Sequence, residues 1–263
     1  MKKNFKLIGL LIKIKLMKQM MYRESFLGSF LVNISLFITQ ILLFNTIYSQ
    51  FDSIAGWTRY QMMFFIGTYT LINSISMMLY YFGIMSVPQL VRNGKLDLFI
   101  IRPCNSLLYV SFSSFDLGSI PMVLVSLIIL FYSASKQNLS VEFFNIMLYI
   151  VTIVLMTVLY YDLLVLVRCV SFYTIDISGL ERIEWSFTEL TMKIPGTIFK
   201  GFLKIVLCIL LPYGIVATIP SYLFFNSFNW RVILYSFLIT NIFTWITFKV
   251  WNFSIRHYRS ASS

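Results

Sequence analysis

Charge is what this chain has least of. Only 12% of its 263 residues are Asp, Glu, Lys or Arg, while 59% are hydrophobic. A soluble domain carries about 25% charged residues, so a soluble globular or disordered protein is excluded. Histidine occurs once, as His257, which removes histidine catalysis from the apolar stretches. The three cysteines, Cys104, Cys169 and Cys208, are an odd set without C-x-x-C spacing. Neither a disulfide framework nor a metal site is expected from them. A phosphate-binding P-loop is missing as well. Gly94-Lys95 is the only Gly-Lys pair, and it lacks the upstream glycine and a following hydroxyl, so the chain cannot hydrolyse ATP alone. H-E-x-x-H and G-x-S-x-G runs are also absent, which argues against an enzyme. The Glu181/Glu184 pair alone keeps intramembrane catalysis conceivable.

What the chain does have is long apolar runs. A span needs about 20 mostly apolar residues, which leaves room for roughly six spans and short loops in one membrane domain. The expected fold is an all-α integral membrane protein, with a transmembrane domain over residues 26–256. The net charge is +11, and the basic residues sit in the tail and loops. The positive-inside bias accounts for that placement, with anionic lipid headgroups as partners and no nucleic acid.

Residues 1–25 carry Lys2, Lys3, Lys6, Lys13, Lys15, Lys18 and Arg23 against Glu24. The apolar run within them is short and no A-x-A-like site follows, so they are expected to form a cytoplasmic interfacial helix and not a signal peptide. A first span is expected over 26–48. Its Ser29, Asn33 and Gln40 fall within about 40° on a helical wheel and should face protein, as helix–helix glue or as part of a path. Residues 50–59 form an outer loop, and 61–85 return inward with Asn73 near mid-membrane. A third span is expected over 108–132 with Asp116 in its inner third. A fourth runs over 143–167, with Asp162 and Arg168 six residues apart, too far for a favourable same-face pair.

Between the second and third spans lies a basic, mixed-polarity segment, residues 86–107, with Pro88, Gln89, Arg92, Asn93, Gly94, Lys95, Leu96, Asp97 and Arg102. Pro88 and Pro103 bracket one or two amphipathic turns in which Leu90, Val91, Leu96 and Phe99 are available for burial. Two readings stand open here: a loop that only fixes topology, or an element on which a soluble partner pushes.

Residues 171–194 pose a second choice. Leu180, Ile183, Phe187, Leu190 and Ile194 recur at alternating spacings of three and four, with Glu181, Arg182, Glu184, Glu189 and Lys193 on the other faces. Such a helix either lies at the cytoplasmic surface, or spans while buried against protein and a water-filled cavity. The following apolar stretch is interrupted by Pro212, Gly214 and Pro220. A last span is expected over 230–252, with residues 257–263 as a cytoplasmic tail.

Arg92-Asn93-Gly94-Lys95-Leu96 with Arg102-Pro103 resembles the R-x-G-x-L…(R/S)-P stretch that follows the second span of ABC type-2 exporter permeases (the ABC-2 family). Asp176, Gly179-Leu180, Ile194-Pro195, Leu211-Pro212 and Ile219-Pro220 resemble, in order and spacing, the second half of a six-span branch of that family. The resemblance implies that residues 86–107 hold a coupling helix seated on an ATPase subunit. It implies a fifth span at 171–194 and a re-entrant hairpin at 195–226, broken around Pro195, Pro212, Gly214 and Pro220. It further implies a permease without catalysis of its own, paired with a second permease as homodimer or heterodimer. ATP and Mg would be bound by partner ATPase subunits and no cofactor by this chain. An amphiphilic cargo (drug, lipid-like molecule or peptide) would be moved outward across a bacterial cytoplasmic membrane, with both termini cytoplasmic. The competing expectation is a non-transporting immunity or assembly protein that binds a peptide or partner.

Overall fold

The computed structural model describes residues 23–137, 143–174, 176–225 and 229–258. The expected N-terminal interfacial helix lies almost wholly outside them, as do residues 259–263 of the expected tail. The elements in order are α1 (Arg23–Tyr48), a hairpin of β1 (Ser53–Ile54) and β2 (Trp57–Thr58), α2 (Arg59–Ser76), a π turn (Met77–Tyr81) and α3 (Phe82–Met85). Next come α4 (Val87–Arg92), α5 (Asp97–Ile100), α6 (Ser106–Ser111), α7 (Ile120–Ser135) and α8 (Phe143–Cys169) with a 3-10 turn at Val170–Phe172. The last third holds α9 (Ser178–Lys193), a 3-10 turn (Gly196–Ile198), α10 (Gly201–Ile205), a π turn (Val206–Leu210), a 3-10 turn (Pro212–Ile215), α11 (Thr218–Phe225) and α12 (Trp230–His257).

Among the described residues, three helical stretches are long and apolar enough to cross a membrane: Arg59–Arg92, Phe143–Phe172 and Trp230–His257. The pair Gly201–Leu210 and Pro212–Phe225 is a further one if counted as a single element, and it is bent by 78° at the break. Phe37–Tyr48 and Ile120–Ser135 are shorter apolar helices. Exposure is inverted relative to a soluble protein. Phe131 and Phe202 are almost fully exposed, while Ser126, Thr152, Ser221 and Ser236 are fully buried. Buried hydroxyls largely return to their own helix, as Thr68 Oγ1 does to the Phe64 carbonyl at 2.9 Å. In lipid that leaves no polar group to satisfy outside the helix.

The core is built on α8, whose Met156, Leu159, Tyr160, Leu163, Leu164 and Val165 are buried. It packs along α12, and Thr244 of α12 donates to Asp162 Oδ2 at 2.6 Å. The expected continuous third span is instead two helices, α6 and α7, separated by residues 112–119. Asp116 organises this break. Its carboxylate accepts from the Gly118 amide at 3.1 Å and the Ser119 hydroxyl at 2.9 Å, and Pro121 opens α7. The Asp116 amide donates to the Met78 carbonyl inside the π turn at 3.0 Å, so the two irregularities complete each other.

In the last third, helix α9 ends at Lys193, with Pro195 just beyond, and Pro212 marks the 78° bend. Gly214 packs on Gly196, where an added Cβ would lie 2.4 Å from the Gly214 carbonyl oxygen. Pro220 departs from expectation: it lies in the first turn of α11, where proline removes no helical hydrogen bond. It breaks nothing.

Gly83 sits where α3 crosses α6, and a Cβ there would meet the Ser111 and Val110 carbonyl oxygens at 2.2 and 2.5 Å. Gly83→Ala should therefore lower the thermal midpoint of the solubilised protein, by about 1–3 kcal/mol of overpacking. Gly179→Ala, with nothing within 4 Å of the new methyl, should be neutral within about 0.5 kcal/mol. Equal midpoints for the two variants would refute the close crossing.

Candidate functional site

A cavity of about 630 Å³ opens between the second helix (residues 59–85: α2, the π turn and α3), α8 and α9. Tyr69, Asn73, Met77, Tyr81 and Met85 face it from the second helix at a constant spacing of four. Tyr160, Leu164 and Arg168 face it from α8 at the same spacing. The third wall is α9. This helix turns its polar side inward: Glu184 and Thr191 are buried, while Leu180 and Ile183 are 43 and 52% exposed. The apolar stripe read from the sequence is thus split, its Phe187, Leu190 and Ile194 packing on the core and its first two residues facing out.

The reason is Arg168. Only 2% exposed, it forms an ion pair with Glu184, which is 6% exposed, and it lies 3.9 Å from Glu181 Oε1. Its Nη2 also touches Met85 Sδ. The other Glu184 oxygen accepts the Tyr213 hydroxyl at 3.1 Å. A buried arginine needs carboxylates beside it, and they come from the inward side of α9. The network joins the end of α8, the middle of α9 and the turn after Pro212.

Of the residues singled out in the sequence, Asn73, Glu181, Glu184 and Glu189 come together around this cavity. Glu189 is paired on the surface with Lys193 at 2.6 Å. Asp162 is elsewhere, fully buried between α8 and α12, and Asp116 belongs to the break before α7. Gln40 is buried between α1 and its neighbours without a hydrogen-bond partner for its amide. The side chains of Ser29 and Asn33 lie outside the described residues. Sequence reasoning missed Tyr69, Tyr81, Tyr160 and Tyr213 as lining or latching groups. It noted Arg168 without its partner, sixteen residues away. The spacing of four at Arg168, Leu164 and Tyr160 was a signal that pointed toward them.

The segment between the second helix and α6 is folded as two short helices. Gly94 has φ +66°, and the Lys95 and Gly94 amides close α4 by donating to the Leu90 and Val91 carbonyls at 2.9 and 3.2 Å. This is the six-to-one closure that glycine favours. It returns Leu96 to the core, where it is fully buried. Leu90, Val91 and Phe99 pack beside it. Gln89, Arg92, Asn93, Lys95 and Arg102 are exposed together with Leu98 and Ile101, and Arg102 lies over the Tyr109 ring at 4.6 Å. Helix α4 packs on the 3-10 turn after α8, and the Arg182 and Arg92 charges add a weak attraction to the Asp176 carboxylate. That carboxylate accepts from the amide and hydroxyl of Ser178, the first residue of α9, both at 2.9 Å.

The opposite end of the molecule carries the β hairpin. Trp57 Nε1 donates to Thr197 Oγ1 at 2.9 Å, and Gln137 Nε2 donates to Thr58 Oγ1 at 2.9 Å. Ala55, Gly56 and Trp57 share a small cavity with Thr197, Tyr222 and Phe225. Helix α9 therefore starts at the end holding Arg92 and finishes at the end holding Trp57, and the bent segment begins and ends beside the hairpin.

Replacing Arg168 by Met should leave the Glu184 charge buried and uncompensated, a loss of about 3–5 kcal/mol. Arg168→Met combined with Glu184→Met should recover most of it in thermal unfolding of the solubilised protein. A double variant no more stable than the single one would show that the two charges do not act as a pair.

A family model described as ABC-2 family transporter protein matches residues 34–262. No curated protein and no solved structure matches the chain.

Proposed function

Since the chain belongs to the ABC-2 family of transporter proteins, and is thereby a multi-pass membrane protein with a transport permease role, we propose that it is the permease subunit of an ATP-driven exporter. The observation that carries this reading is the exposed face of α4 and α5. Arg92, Lys95 and Arg102 stand there beside Leu98 and Ile101, a surface whose apolar residues are placed to be covered and whose cations are placed to meet acidic groups. The occupant is a nucleotide-binding ATPase subunit, which holds the ATP and Mg; this chain supplies neither ATPase chemistry nor a cofactor.

The contacts support a mechanical route. Closure of the ATPases moves α4, which bears on the turn after α8 and so on Arg168 and its ion pair with α9. Helix α9 swings against the stripe from Tyr69 to Met85, and the cavity between them opens to alternate sides. Two such permeases, identical or different, enclose the path. An amphiphilic cargo suits walls of tyrosine, tryptophan and methionine. Residues 195–226 enter and leave from the outer side of a bacterial plasma membrane as a re-entrant hairpin, and both termini are cytoplasmic. The placement of Thr197 and Phe225 beside the 53–58 hairpin supports that topology.

Arg92→Glu with Lys95→Glu should abolish co-purification of the ATPase while membrane insertion is kept. Retention of the ATPase would overturn the docking face, and inverted topology would mean that these cations act through the charge rule alone. An unaltered chain that brings down no ATPase would favour the non-transporting alternative. For the hairpin, Lys200→Cys in a chain with Cys104, Cys169 and Cys208 replaced should react with an impermeant thiol reagent in intact cells. Reaction only after the membrane is opened would place residues 195–226 on the inner side.

A further inference from the structure

The charged side chains around the large cavity are unevenly placed. Glu189 is paired with Lys193 at 2.6 Å, and Arg182 lines the cavity from the exposed side of α9. At the buried end Arg168 stands against two carboxylates, Glu181 and Glu184, a local excess of one negative charge. The two acids are engaged differently. Glu184 is buried and saturated by Arg168 and the Tyr213 hydroxyl. Glu181 is 34% exposed and stands 3.9 Å from Arg168 Nε, beyond hydrogen-bond range. Arg168 Nε is itself buried without a hydrogen-bond partner. Glu181 is held near by charge alone, and its oxygens are open toward the cavity.

We propose that this cavity takes an amphiphile bearing a single positive charge, its cationic group on the Glu181 carboxylate and its apolar body among the surrounding rings and thioethers. The proposal rests on the transport reading above and names the cargo class for it. Tyr69, Tyr81, Tyr160 and Trp185 supply ring faces, which attract a partly desolvated cation. Met77, Met85 and Met192 give adaptable apolar contact. The volume of about 630 Å³ fits a drug-sized molecule. At the buried end an anion would meet the Glu181 carboxylate and find Arg168 already occupied by two acids.

The test uses two probes of one shape and opposite charge, tetraphenylphosphonium and tetraphenylborate. Binding is measured by equilibrium dialysis to the purified full-length chain in phosphatidylcholine nanodiscs, with empty nanodiscs subtracted. Tetraphenylphosphonium should bind saturably and tetraphenylborate should not. Glu181→Gln should weaken the cation about tenfold, the scale of one lost charged contact, with an unchanged unfolding midpoint because Glu184 still holds Arg168. Glu181→Asp should retain the preference. Trp185→Ala, which touches no ion pair, should also weaken the cation. Equal binding of both probes, tighter binding of the borate, or indifference to Glu181→Gln would overturn the proposal. The ATPase is not needed for this measurement. Cation preference in a chain that recruits no ATPase would sustain the site and sink the exporter reading, whereas an ATPase-coupled chain indifferent to probe charge would do the reverse.

Discussion

A guanidinium taken out of water costs several kcal/mol unless carboxylates and hydrogen bonds meet it in place. Arg168 is such a group, and the arrangement of the second half of the chain follows from it. To bring Glu184 against Arg168, α9 must lie along α8 with its charged side inward. Leu180 and Ile183 are then turned outward, which is tolerable only where the outside is lipid or another subunit. Tyr213 closes the remaining Glu184 oxygen, which fixes how deep the turn after Pro212 reaches. The cavity is what is left between this charged wall and the tyrosine and methionine stripe of the second helix.

The network also joins two regions of the fold. On one side of Arg168, the turn Val170–Phe172 meets α4 of the exposed basic face. On the other, Glu184 leads through Tyr213 to the bent segment beside the β hairpin. A charge pair in a low-dielectric setting is worth more than the same pair in water, so the Arg168–Glu184 pair ties the position of α9 to that of α8.

Much of this was legible in the residues. The short helices of residues 86–107 could be read because Gly94 and the prolines are local signals, and Leu90, Val91, Leu96 and Phe99 are the side chains that pack there. The break at Pro212 was equally local. The two helices in place of a third span were less visible. Asp116, Gly118 and Pro121 form a sufficient stop-and-start signal, but the apolar residues around them outweighed it in a hydropathy reading. The orientation of α9 was not legible. Its apolar periodicity named Leu180 and Ile183 as a buried face, and only the position of Arg168 on another helix reverses that. Pairing across helices is a tertiary choice that spacing along one helix does not encode.

The irregular elements are not scattered through the fold. The π turn at Met77–Tyr81, the break at residues 112–119 that plugs into it, the 3-10 turn at Val170–Phe172 and the 78° bend at Pro212 all belong to segments that line the cavity or abut its walls. Helices α8 and α12 are unbroken over 27 and 28 residues and pack along one another with Asp162 and Thr244 between them. A helix interrupted by a π or 3-10 turn exchanges hydrogen-bond partners at lower cost than a continuous one, which must lose a bond to bend. The fold thus divides into an unbroken pair and a set of walls interrupted or flanked by irregular turns. Arg168 sits at the seam, on the unbroken α8 but paired with α9, which lies between the 3-10 turns Val170–Phe172 and Gly196–Ile198.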